Sequence, residues 1–130
     1  MAAAPAYAAT PVAWTGLVPS TADTSWTAPS HVTSLGSAGS NGTKITQVDV
    51  IPAGSPSAGL VNVFLYDGAA YHLHESVTIA AYSSSTTGAP PKQSFYYDSL
   101  VLPSGWSLVV SNTVAGNVSI IEVNAYGASL

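Results

Sequence analysis

Two β runs joined by a turn signal constrain this chain most. Leu60–Tyr66 is a near-continuous apolar run, Asp67-Gly68 follows it, and Tyr71–Ile79 then alternates cleanly. An Asp-Gly pair between two such runs is the strongest short-range hairpin signal, because the turn needs residues that tolerate positive φ. Successive side chains of a strand point to opposite faces. Tyr71, Leu73, Glu75, Val77 and Ile79 are therefore expected on one face, and His72, His74, Ser76 and Thr78 on the other. The unbroken apolar run predicts a strand covered on both sides.

The same rhythm continues along the chain. Ile45–Ile51 is β-branched, with Val48 and Val50 on one face and Gln47 and Asp49 on the other. Asn41-Gly42 reads as the turn before it, and Pro52 to Gly59 as a loop. Tyr82 to Pro91 is a long Ser/Thr/Gly/Pro loop. Gln93–Asp98 is an aromatic strand carrying Phe95, Tyr96 and Tyr97, and Leu100–Leu102 precedes a Pro103-Ser-Gly105 turn. Trp106–Val110 alternates with Trp106, Leu108 and Val110 inward, and Val118–Tyr126 is the last strand. Short strands separated by turns, with no helical period, argue an all-β antiparallel sandwich, jelly-roll-like. The short turns predict antiparallel neighbours.

Residues 1–43 differ in texture from residues 44–130, which carry the expected sandwich domain. The first stretch holds Pro5, Pro11, Pro19 and Pro29 among Ala, Ser and Thr. It reads as an extended N-terminal arm with strand pieces at Pro11–Val18 and His31–Leu35. Trp14 and Trp26 stand in it, with Tyr7 ahead of them. Tryptophan promises large burial. The arm is therefore expected to dock, and Trp14, Trp26 and Tyr7 are the expected interface residues.

Charge narrows the function. Only 6% of the residues are charged, against about 25% in an average soluble domain. Lys44 and Lys92 are the only strong cations, so nucleic-acid binding, which neutralises several phosphates, is excluded as a main activity. No stretch reaches the roughly 18 apolar residues of a membrane span. The apolar opening has no basic region and is interrupted by Pro5 and Pro11, which makes a poor signal peptide. Synthesis inside a cell and retention there until assembly are expected. A nearly uncharged, hydroxyl-rich surface loses little hydration when a partner covers it. The chain lacks cysteine, so neither a disulfide nor a thiolate metal site is available.

Catalytic signals are weak. His72 and His74 share a strand face in this reading and could both reach one metal ion, but no third ligand stands near them in sequence. Solvent-facing or interface histidines are the simpler expectation, and no metal or cofactor is expected. The serines lack a G-x-S-x-G setting. The six acids are scattered outside any paired-carboxylate motif. No enzyme is expected. The tryptophans and tyrosines could form a sugar-stacking platform, although interface packing also draws on these residues.

The run from Ala38 to Val50, the segment Ala58 to Gly68, Leu100 to Leu108 and the ending Asn117 to Leu130 together resemble small β-sandwich virion proteins of tailed bacteriophages. The resemblance covers residues 38–130 and rests on turns and strands. It implies a capsid decoration, or cement, protein that stabilises the head lattice. Such a protein would be made in the host cytoplasm and would end on the capsid surface. Its implied partners are copies of itself, as a homotrimer or other homo-oligomer, and the major capsid protein. The alternative is a tail- or fibre-associated module that binds host glycans.

Overall fold

A computed structural model describes residues 10–19, 21–114, 117 and 120–130. Its regular elements are eight strands: β1 (Thr10–Leu17), β2 (Thr33–Ser37), β3 (Thr43–Pro52), β4 (Gly59–Tyr66), β5 (Tyr71–Ile79), β6 (Gln93–Leu102), β7 (Ser107–Asn112) and β8 (Ile121–Ser129). They form two four-stranded antiparallel sheets, ordered β1-β8-β3-β6 and β2-β7-β4-β5. The protein is an all-β sandwich.

The pairing is nested. The first strand lies beside the eighth, the second beside the seventh, the third beside the sixth and the fourth beside the fifth. Only β4 and β5 are neighbours both along the chain and in a sheet. Antiparallel pairing was expected from short turns, but here it comes mostly from strands far apart in sequence. The hairpin itself is as expected. Asp67 Oδ1 accepts hydrogen bonds from the Ala69 and Ala70 amides at 2.8 and 2.7 Å, and Gly68 takes φ 98°.

Residues 10–37 of the expected arm supply one strand to each sheet. β1 pairs with β8 along its whole length, from Thr10 opposite Ser129 to Leu17 opposite Glu122. Pro11 is tolerated because β1 is an edge strand, where a missing N–H need not break a ladder. β2 closes the edge of the other sheet against β7.

The core lies between the sheets. Ile45, Val48, Val50, Val61, Val63, Leu108, Val110, Ile121, Val123 and Ala125 are buried there. β4 is covered on both faces as the apolar run predicted: Val61, Asn62, Val63 and Phe64 are all buried. Phe64 lies edge-on to Tyr71, with ring centroids 6.1 Å apart. Gly127 is required by close approach. A Cβ there would collide with the carbonyl oxygen of Lys44 on the neighbouring strand, beside the irregularity where Thr46 is skipped in the register between β3 and β8.

Candidate functional site

The histidine strand is not the uninterrupted alternation its sequence suggests. Val63 pairs with Glu75 and Phe64 with Leu73, so His74 is an extra residue opposite the junction of two. Such a bulge kinks the strand and reverses the facing beyond it. Glu75, Val77 and Ile79 keep the expected face, and Val77 and Ile79 join the core. Before the bulge the assignment is corrected. Leu73 pairs with Phe64 and is exposed, while His72 pairs with Leu65, which packs on the core.

The bulge places a cluster at the open side of the sandwich, where β5 faces β6. His74 packs on Tyr97, with centroids 4.9 Å apart, and the Tyr97 hydroxyl donates to Glu75 Oε1 at 3.3 Å. Further along the seam, the Gln93 side-chain amide donates to the Thr78 carbonyl at 2.8 Å. Burial holds the His74 imidazole below its ordinary basicity, and the Glu75 carboxylate opposes this in part. The Tyr97 phenol is pushed well above its ordinary range by burial first and by the Glu75 charge second. Both groups are therefore held neutral.

His72 belongs to a different arrangement. Its ring stacks on Trp106 at 5.8 Å, and Nε2 lies 2.9 Å from Asp67 Oδ2. Asp67 is held down at about 2, first by the Ala70 amide and then by His72 and the Ala69 amide. Thus one histidine fastens the hairpin turn and the other fills the seam. Among the described residues, no group of three or more His, Cys, Asp or Glu side chains comes together to hold a metal ion. His31, the third histidine, lies by Asp23 with Nδ1 3.6 Å from Oδ2.

The expected interface residues separate. Trp14 packs partly buried against the core and lies on Gly36, where a Cβ would overlap its ring. It serves the sandwich's own interior. Trp26 is 53% exposed. Its loop is tied by Asp23, whose Oδ1 accepts from the Ser25 amide at 3.0 Å and whose Oδ2 accepts from the Ser30 and His31 amides at 2.6 and 2.9 Å. These bonds keep the Asp23 carboxyl at about 2, well below its ordinary 3.8. Pro29 in the same loop is buried. Trp26 is thus an exposed indole on a braced loop. Tyr7 lies outside the described residues.

Two exposed aromatics stand outside the expected interface set of Trp14, Trp26 and Tyr7. Tyr96 of β6 is 73% exposed and Tyr126 of β8 is 37% exposed. Both lie opposite Gln47 of β3, and Ala13 of β1 lies beyond Tyr126. Their neighbours Phe95, Tyr97 and Ala125 face the core, so the row stands on the outer surface of the first sheet. The signal was present: in three consecutive strand aromatics, the middle one must face away from the other two. Beside Tyr126 is a hollow of about 520 Å3 lined by residues 11–13, Thr46 and residues 126–128.

No protein-family model matches the chain. None of the curated proteins compared with it matches either. Among the described residues, no helix is long and apolar enough to cross a membrane.

Proposed function

We propose that this chain is a structural protein of a tailed-bacteriophage virion, a capsid decoration protein that strengthens the head lattice by packing and performs no catalysis. The observation that carries the reading is Trp26: a half-exposed indole on a loop braced by Asp23. A large aromatic side chain that loses little freedom on binding is the usual anchor of a protein contact. The surroundings fit, because a surface with so few ions is cheap to dehydrate.

The nested strand order supports the jelly-roll reading, an architecture common in capsid and lectin domains. That support is by analogy of fold. The contact would bury apolar surface at roughly 25 cal/mol per Å2. Repetition over the lattice and self-association, as a trimer or another closed oligomer, would multiply a modest contact. The major capsid protein is the proposed partner, and the capsid surface the proposed location.

Cryo-electron microscopy of particles incubated with the purified chain tests this. Regular density over the head lattice, with the loop bearing Trp26 at the contact, is expected, and Trp26→Ala should leave the particles bare while the protein stays folded. Density confined to the tail, or full decoration by the variant, would overturn the proposal.

A further inference from the structure

The outer face of the first sheet carries a second feature, independent of Trp26 and of the virion reading. Tyr96, Gln47 and Tyr126 form a row across the strands rather than along them. Strands two apart are separated by about 10 Å, twice the ordinary spacing. The row therefore roots two tyrosines on backbones about 10 Å apart, with the Gln47 side chain between them. It runs into the hollow beside Tyr126, where the Thr46 hydroxyl donates to the Tyr126 carbonyl at 3.2 Å.

We infer that this row and hollow bind an extended, uncharged polysaccharide of β-linked pyranose units, lying across the strands. In such a chain every second ring presents the same face, at a repeat close to the spacing of the two tyrosines. The axial C–H face of a pyranose stacks on an aromatic ring, and its hydroxyls take hydrogen bonds from a side-chain amide.

Charge selects a neutral ligand. The row and the hollow hold no ionised side chain. Asp49, next to Gln47, is buried and engaged by the Gln47 amide at 2.9 Å and by Lys92 at 3.8 Å. A second copy of the chain fits less well. Gln47 separates the tyrosines, and the adjoining row places Lys44 between Val101 and Ala128. A polar or charged side chain thus stands at the centre of each row, where a protein interface is usually depleted of charge.

The full chain is tested by co-sedimentation with microcrystalline cellulose and with chitin, and with starch granules as the α-linked control. Retention on at least one β-linked polymer and none on starch is expected. Tyr96→Ala and Tyr126→Ala should each weaken retention roughly tenfold. Tyr96→Trp should restore it, and Leu73→Ala, on the other sheet, should bind like the parent. Thermal melts verify that the variants stay folded. Absence from both β-linked polymers, equal retention on starch, or undiminished binding by the double alanine variant would overturn the inference. So would sugar-free ultracentrifugation showing an oligomer that the tyrosine substitutions dissociate, since the row would then be a self-contact. None of these results depends on whether the chain decorates a capsid.

Discussion

At the scale of the residue, three side chains and one missing side chain carry testable consequences. His74 is held neutral by burial, below its ordinary 6.5. As the pH falls, the unfolded chain takes up this proton before the folded one does. Stability is then complete above about 6.5 and declines as the pH drops towards the depressed folded value. Asp23 and Asp67 act in a second, lower window. Their carboxyls are held at about 2 against 3.8 unfolded, so their stabilisation is complete above 3.8 and is lost as the pH falls through about 2. Urea midpoints measured from pH 8 to about pH 1.5 should show both stages, and His74→Phe should remove the first alone. The missing side chain is at Gly127. Gly127→Ala forces a methyl group onto the Lys44 carbonyl and should cost about 3 kcal/mol by urea unfolding.

At the scale of the element, the loop of Trp26 and the bulge of β5 show what sequence does and does not reveal. Asp23 accepts from three backbone amides spread over residues 25–31. Asp23→Ala should abolish hydrogen-exchange protection at Ser25, Ser30 and His31, and should speed chymotryptic cleavage after Trp26. A melt unchanged by that substitution would show the loop opening alone. The β4–β5 hairpin was legible because apolar pattern and turn chemistry agree there. The bulge was not, because Tyr71–Ile79 alternates in sequence just as a regular strand does. Its position is settled across the sandwich, by Tyr97 receiving both His74 and Glu75. Pattern alone therefore paired His72 with His74 as neighbours on one face, whereas the folded strand gives them separate partners. β1 was half legible: Pro11–Val18 read as a strand piece, but the surrounding prolines suggested an arm. Trp14 resolves the difference by facing inward onto Gly36.

At the scale of the whole molecule, both sheets are antiparallel, and their order has no local signature in the chain. Short turns predict neighbours in sequence, and only β4 and β5 obey. β1 covers one edge of β8, while β3 covers the other. Removing residues 1–17 should bare β8 as an uncharged edge along most of its length, where Glu122 is the only Asp, Glu, Lys or Arg of Ile121–Ser129. Concentration-dependent light scattering should rise steeply for that truncation and stay flat for the full chain. The nesting of the strands also sets a timetable. The outermost pair joins residues 10–17 to residues 122–129, so a ribosome must translate the eighth strand before β1 finds its mate. Contacts this distant in sequence close late and slowly, on the millisecond-to-second scale of sandwich proteins. During that interval a newly made copy offers its first strand to any β8 within reach, including that of another nascent chain.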